Sequence, residues 1–202
     1  AYDGLTWLWR HPETDIQAGI KGPVADYISC AFVPLAVLAA VEHRDRTGSG
    51  QFIDLNMLEG VAHTMGPFYL EYTLNGREPE PQGYRSARYA PFGAYLCRGD
   101  DAWCVIACET EQEWRAFGKA AGEPGWINEE RFATRAGRIQ NREELDRLVA
   151  GWTQQYTARQ VMHFLQREGV PAGMVQSCED LFYDYHLRAR GHIALVNHSA
   201  PW

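Results

Sequence analysis

The sequence predicts an α/β protein built from alternating helical and strand segments. Three observations support this class. A long apolar segment of helical length occupies residues 28–41, short apolar segments occupy residues 91–96 and 102–108, and polar segments with helical periodicity follow them. Because helices and strands alternate along the chain, helices packed against a sheet are expected.

The first predicted element is a helix that begins near Asp26. Residues 28–41 are apolar on every side, which is typical of a helix that is buried all round. Pro34 leaves two alternatives: the helix begins near Asp26 and bends where Pro34 cannot donate to Cys30, or Pro34 opens a shorter helix. Asp26 itself has two interpretations, an N-cap of this helix or a reactive carboxylate.

A glycine-containing turn at residues 47–50 separates this helix from the next elements. Residues 51–55 alternate in polarity and predict a short strand, and residues 56–74 carry apolar side chains at helical spacing, Met57 among them. Residues 75–90 combine glycine, proline and charge, which is typical of a linker. We therefore expect two substructures that meet at this linker.

The second part of the chain opens with a predicted strand pair. The segments at residues 91–96 and 102–108 are joined by a Gly-Asp-Asp turn, as in a hairpin. Further along, the patterns predict helices over residues 111–121, 142–156, 158–168 and 179–190, a strand that begins at Val175, and a final strand over residues 193–196.

Charge and composition exclude several classes of partner. The formal net charge is −7 and no segment is dense in lysine or arginine, so neither nucleic acid nor an acidic membrane surface is an expected partner. The apolar run at residues 28–41 is short and is interrupted by Ser29 and Pro34, so no membrane-spanning segment is expected.

The cysteines and histidines predict a reducing compartment and no metal site. Five cysteines at irregular spacing do not form a disulfide framework, and the prediction is therefore a cytoplasmic protein. The seven histidines are scattered without a ligand-type spacing, so no metal is expected.

Three motifs in a fixed order carry a resemblance to a known family. Asp26 and its apolar helix are followed by RTGSGQ at residues 46–51, then by PFG at residues 91–93 with Trp114 downstream, and then by GVPAG at residues 169–173. Together they resemble the family III CoA-transferases, which include formyl-CoA, carnitine and bile-acid CoA-transferases and α-methylacyl-CoA racemase. The RTGSGQ turn at this distance from the acid is the most specific of the three motifs.

The resemblance implies a domain organisation. Family members have a large Rossmann-like domain and a smaller domain, and two protomers interlock as a homodimer. The chain resembles the middle of a longer family member. This middle part is expected to be inactive, or nearly so, by itself. The expected parts are a large-domain segment at residues 1–74, the linker at 75–90, a small α+β domain at 91–180, and a return toward the large domain at 181–202.

The resemblance also implies roles for two residues. The acid at the position of Asp26 is the covalent catalyst: it attacks an acyl-CoA to form a mixed anhydride, CoA thiolate converts this to an aspartyl-CoA thioester, and the acceptor acid then enters. Met57 matches a position that contacts CoA in some relatives. The implied partners are acyl-CoA and a small carboxylic acid, with coenzyme A as the cofactor and no metal.

Two other functions stay open from the sequence. Racemases of the same family pair the acid with a histidine from the N-terminal half and a glutamate in the small domain. Thr110 occupies that glutamate position here, with Glu109 and Glu111 beside it. The other alternative is a non-catalytic fragment that acts as an assembly module.

Overall fold

The chain divides into two compact units, residues 1–84 and residues 85–202. The computed structural model describes residues 4–9, 24–81, 83–194 and 196. The boundary between the units lies within residues 75–90, the segment with linker composition. The mixture of helices with a small antiparallel sheet confirms the predicted class, whereas the assignment of each unit to a family domain stays a prediction.

Within the described residues of the first unit, all regular secondary structure is helical. Its second helix packs against its third. The helices are α1 (Leu5–Leu8), α2 (Val24–Thr47), α3 (Met57–Thr64) and α4 (Gly66–Asn75).

Helix α2 is continuous and contains Pro34 in its interior. The helix therefore begins ahead of Asp26, and the alternative in which Pro34 opens a shorter helix is wrong. The prediction of burial on every side is also wrong for this chain, because Leu35 and Leu38 are 64% and 67% exposed and Ser29 is the buried residue of the helix. The physical reason is that α3 is the principal element packed against α2 within the described residues.

The length of α2 corrects a second expectation. Its 24 residues include a stretch with a mean hydropathy of 2.0, which is long and apolar enough to cross a membrane. The sequence predicted no segment of membrane-spanning length, and this prediction is wrong because the helix extends beyond the apolar run at both ends. Core helices of soluble proteins have the same length and composition, so this property assigns no membrane location to the chain.

The RTGSGQ segment ends helix α2. Gly48 has a positive φ of 76° and its N–H donates to the carbonyl oxygen of Arg44 at 2.7 Å. The hydroxyl of Thr47 donates to the carbonyl oxygen of His43 and accepts from the N–H of Ser49. Glycine adopts this left-handed conformation without the steric penalty of a Cβ, so Gly48 allows the motif to end the helix.

Two predicted elements of the first unit differ in the structure. Residues 51–55 are not a strand, because a strand requires a neighbour for its backbone hydrogen bonds and the described part of this unit contains none. The predicted helix over residues 56–74 is two helices that meet at Met65. Pro67 accounts for the break, since its nitrogen cannot donate to the preceding turn.

The second unit contains a three-stranded antiparallel sheet in the order β1-β2-β3. Strands β1 (Phe92–Leu96) and β2 (Trp103–Ala107) form the predicted hairpin, and β3 (Ala172–Met174) lies on the other side of β2. The strand expected to begin at Val175 therefore ends just before it. The N–H of Val175 still donates to the carbonyl oxygen of Trp103.

Four helices surround the core of the second unit, and the last two of them pack directly on the sheet. They are α5 (Glu111–Ala120), α6 (Arg135–Gln140), α7 (Arg142–Thr153) and α8 (Ala158–Arg167). The three helices predicted for this stretch are confirmed, and α6 is an additional one. The side chains with no exposed surface include Cys104, Ile106, Phe117, Phe132, Leu145, Val149, Val161 and Leu165.

The C-terminal part is more broken than predicted. The expected helix over residues 179–190 is two short helices, α9 (Cys178–Tyr183) and α10 (Tyr185–Ala189). Asp184 separates them in an extended conformation, and its carboxylate accepts from the N–H of Leu187 at 2.9 Å. Of the strand predicted over residues 193–196, the residues that the structure describes are not in a strand, and Leu195 lies outside them.

The five cysteines are free thiols. Cys97, Cys104 and Cys108 are buried in the second unit, and Cys30 and Cys178 are exposed. Burial raises the pKa of Cys104 and of Cys108 to about 12, so both thiols stay protonated and unreactive.

Candidate active site around Asp26

Asp26 lies in the first turn of helix α2 with its side chain exposed. It is inside the helix, two residues after Val24, so the N-cap interpretation is wrong. The N–H groups of a first helical turn have no partners within the helix, and the helix dipole places partial positive charge there. The carboxylate of Asp26 is exposed at this point and is open to an approaching molecule.

A close contact between α2 and α3 supports this turn from behind. Ser29 is only 6% exposed, and a Cβ placed on Gly60 would lie 3.6 Å from its Oγ and 3.7 Å from the ring of Phe32. Further along both helices, the rings of Phe32 and His63 meet edge to face with centroids 5.7 Å apart. The contacts advance in the same direction along α2 and α3, so the two helices cross with their N-terminal ends on the same side.

This direction places Met57 on the same side of the crossing as Asp26. Met57 is the first residue of α3 and is 50% exposed. It precedes Gly60 by three residues, and Asp26 precedes Ser29, the residue that faces Gly60, by the same number. The side chain of Asn56 caps α3 by accepting from the N–H of Leu58 at 2.9 Å. The structure thus brings the two residues singled out by the sequence to one end of one helix pair.

No cation pairs with Asp26 among the residues that the structure describes. An exposed carboxylate without a counterion is not held in a structural ion pair, so it can act as a nucleophile or receive a substrate. A group of three or more histidine, cysteine, aspartate or glutamate side chains suited to a metal is also absent from the described ranges.

An apolar cavity of about 300 Å³ lies elsewhere in the first unit. Helix α1, helix α4 and the segment after α4 enclose it, and the indole N–H of Trp7 reaches the carbonyl oxygen of Pro79 at 3.4 Å across it. Its other lining side chains include Met65, Phe68, Tyr69 and Tyr72. Sequence periodicity did not indicate this cavity, because its walls come from separate segments.

The profile of the family described as CoA-transferase family III matches residues 1–201. The chain belongs to this family. Its succinyl-CoA–D-citramalate CoA-transferase relative from Chloroflexus aurantiacus is 34% identical over 86% of this chain and 43% of that protein. The succinyl-CoA:mesaconate CoA-transferase of Haloarcula marismortui is 30% identical over 92% of this chain and 45% of that protein.

A solved structure agrees with the family assignment. The crystal structure of a CAIB/BAIF family protein from Brucella suis superimposes with a TM-score of 0.86 and 27% identity. The match covers 94% of this chain and 50% of that chain. The chain therefore spans about half the length of the family III proteins that it matches.

Thr110, which the sequence analysis aligns with the glutamate of racemases, and its neighbour Glu111 both have structural roles in this chain. The hydroxyl of Thr110 accepts from the N–H of Glu113 at 3.1 Å in a capping box that begins α5. The carboxylate of Glu111 pairs with the buried guanidinium of Arg138 at 2.8 and 3.1 Å. Hydrogen bonds from Arg138 lower the pKa of Glu111, which makes this carboxylate a weaker base.

A second buried polar cluster joins the start of the second unit to its helices. The hydroxyl of Tyr95 donates to Asp146 at 2.8 Å, and Arg142 donates to the carbonyl oxygens of Ser86 and Tyr89. Burial raises the pKa of Asp146, and burial with the neighbouring Asp146 raises the pKa of Tyr95 well above its ordinary value. No local sequence pattern predicts this cluster, because its members are far apart along the chain.

Proposed function

We propose that the whole protein transfers CoA from an acyl-CoA donor to a small carboxylic acid, with Asp26 as the covalent catalyst. The observation that carries the proposal is the exposed carboxylate of Asp26 in the first turn of α2, which has no cationic partner among the described residues and is followed at the family's spacing by the RTGSGQ helix end. Family membership and the names of relatives as CoA-transferases support the reaction class.

The proposed reaction begins when a carboxylate oxygen of Asp26 attacks the thioester carbonyl of the donor. The C–S bond breaks, CoA leaves as its thiolate, and a mixed anhydride remains. The thiolate then attacks the aspartyl carbonyl, which releases the donor acid as a carboxylate and leaves an aspartyl-CoA thioester. An acceptor carboxylate takes the place of the donor acid, and the same two steps in reverse regenerate Asp26 and form the new acyl-CoA.

The chain itself supplies three contributions to these steps. The partial positive charge at the N-terminus of α2 stabilises negative charge that develops beside Asp26. The packed crossing of α2 and α3 fixes the turn that carries the carboxylate, which favours a productive angle of attack. Met57, at the same end of the helix pair, offers a half-exposed apolar surface to a bound CoA.

The test is detection of the aspartyl adduct in the full-length protein. Because two relatives are named for succinyl-CoA, we propose succinyl-CoA as the first donor to assay, with mesaconate and citramalate as acceptors. Mass spectrometry of a quenched reaction should find CoA attached to the peptide that contains Asp26. The Asp26→Asn variant should form no adduct, and transfer at the wild-type rate by that variant would contradict the proposal.

The racemase alternative is disfavoured by the committed roles of Thr110 and Glu111. Incubation of the full-length protein with a 2-methylacyl-CoA in deuterated water distinguishes the two reactions. A transferase leaves the α-hydrogen in place when no acceptor acid is added. Incorporation of deuterium at the α-carbon would replace the transferase proposal with racemisation.

The chain of 202 residues by itself is expected to lack transferase activity. A nucleophile without the rest of the CoA pocket gains little rate, and this chain spans about half of its relatives. For the whole protein we propose a cytoplasmic homodimer with acyl-CoA and a small acid as partners. Size-exclusion chromatography with light scattering tests the dimer, and acyl transfer by the isolated chain would contradict the expected inactivity.

A further inference from the structure

Ser29 is an unsatisfied buried hydroxyl next to the proposed nucleophile. Its side chain is 6% exposed, and its Oγ has no hydrogen-bond partner among the described residues. It is the buried side-chain oxygen or nitrogen in this part of the chain with that property. Buried polar groups are nearly always paired, so an unpaired one calls for an explanation.

Packing alone does not require a hydroxyl at this position. Ser29 faces Gly60, and a methyl group would fill nearly the same space between α2 and α3. Alanine also has the higher helix propensity and would bury no polar atom. A serine here is therefore unfavourable for folding, which is the pattern expected where function decides the residue.

The position of Ser29 on the helix directs it toward Asp26. Residues three apart lie on the same face of a helix, and side chains lean toward the N-terminal turn that precedes them. The turn that precedes Ser29 is the one that carries Asp26. In the structure the hydroxyl lies at the crossing, where a Cβ on Gly60 would be 3.6 Å from it, so the contact with Asp26 uses another of the three staggered positions of serine.

We propose that Ser29 is a positioning residue that donates a hydrogen bond to the acylated side chain of Asp26. This inference rests on the proposed function. In the second step, CoA thiolate attacks the aspartyl carbonyl carbon and the carbonyl electron pair moves onto oxygen. The hydroxyl of Ser29 donates to that oxygen while keeping its own proton, and the bond to the departing donor carboxylate then breaks.

The proposed role explains why the hydroxyl of Ser29 has no partner among the described residues of the free chain. A donor that already had a strong partner would need to exchange it before it could stabilise the developing oxyanion. An unpaired donor avoids this cost, because it turns toward the developing oxyanion without first breaking a hydrogen bond. Donation to the free carboxylate by the same hydroxyl would also fix the attacking oxygen in the first step.

The test compares Ser29→Ala with Ser29→Cys and Ser49→Ala in the full-length protein, with succinyl-CoA as the probe. Ser49 is exposed in the turn after α2 and controls for loss of a serine hydroxyl. Cysteine keeps the size of the Ser29 side chain but is a weak donor. We expect both Ser29 variants to lower kcat by roughly 100-fold at an unchanged KM for the donor, and Ser49→Ala to match the wild type.

The same variants carry a readout that a structural role would not produce. Removal of an unpaired buried hydroxyl should leave the thermal midpoint of Ser29→Ala equal to or above that of the wild type. A fall in midpoint together with kcat would assign Ser29 a structural role and overturn the inference. Unchanged kcat in Ser29→Ala, with the Asp26 adduct still formed, would overturn this inference and leave the proposed function intact. No adduct at Asp26 in the wild type, with transfer that does not depend on Asp26, would overturn both.

Discussion

Replacement of Arg138 with methionine tests how the second unit is held together. Arg138 is 1% exposed and its guanidinium lies over the ring of Trp114, with Cζ 4.9 Å from the ring centroid. It donates to the carbonyl oxygens of Ala90 and Phe132, each at 3.1 Å, and pairs with the carboxylate of Glu111. The guanidinium thus ties the segment before β1 to the turn before α6 and to the first turn of α5.

The expected cost follows from what each partner loses. Methionine fills much of the same volume but leaves the two carbonyl oxygens unpaired, at about 1–3 kcal/mol for each buried group. Glu111 is 49% exposed and is hydrated when its partner is removed, so it adds little. We therefore expect Arg138→Met to lower the free energy of unfolding by about 2–6 kcal/mol.

The assay is urea unfolding of the chain followed by tryptophan fluorescence, since Trp114 is in direct contact with the replaced group. Arg147→Met is the matched control, because Arg147 is 74% exposed and pairs with Glu144 at the surface. That control should stay within about 0.5 kcal/mol of the wild type. Equal effects of the two substitutions would refute the assignment of Arg138 as a buried tie.

The same pair predicts a dependence on pH. Arg138 lowers the pKa of Glu111 below its ordinary value of 4.5. A lowered carboxyl pKa contributes stability that is present above the unfolded pKa and is lost as the pH falls through the folded pKa. The difference in stability between the wild type and Arg138→Met should therefore shrink in acid, and a difference that grows there would contradict the ion pair.

Three further predictions concern packing, hydrogen bonding and thiols. Gly137→Ala should destabilise the chain by about 1–3 kcal/mol in the same urea assay, because the new Cβ would lie 2.5 Å from the carbonyl oxygen of Arg131. Gly151 has open space around it, so the control Gly151→Ala should be neutral or stabilising. Tyr95→Phe should lower the free energy of unfolding by about 1 kcal/mol, because the hydrogen bond to Asp146 is lost. Burial raises the pKa of Asp146, and the hydrogen bond from Tyr95 favours the ionised carboxylate, so the loss of stability should be greater at neutral than at acidic pH. An equal loss at both pH values would contradict this. A thiol reagent should label only the exposed Cys30 and Cys178 in the native chain, and all five cysteines after unfolding. Labelling of Cys97, Cys104 or Cys108 in the native chain would contradict their burial.

Local patterns were sufficient for most elements of the second unit. The hairpin of β1 and β2 follows from two apolar segments and a short polar turn, and α8 follows from Thr157, whose hydroxyl accepts from the N–H of Gln160. These elements are set by residues within a few positions of each other. Their packing in the core stabilises the same secondary structure that the local sequence favours.

The errors occurred where the outcome depended on distant neighbours. The alternating pattern at residues 51–55 is that of a strand, but no strand lies beside it in the described part of the first unit. The apolar run of α2 predicts burial on all sides, yet mainly α3 covers it here. Periodicity reports what a segment can bury and does not say which partner is present.

The sequence by itself determined the family, the helix that carries Asp26 and the glycine turn that ends it, because each depends on residue types at fixed local spacing. Only the tertiary structure decided that Asp26 lies inside the first turn of its helix, that Met57 shares its end of the helix pair, and that the buried hydroxyl of Ser29 has no partner among the described residues. These properties arise from the crossing of two helices that are separate in the chain, and a crossing angle and its contacts are set by packing, which no local spacing specifies.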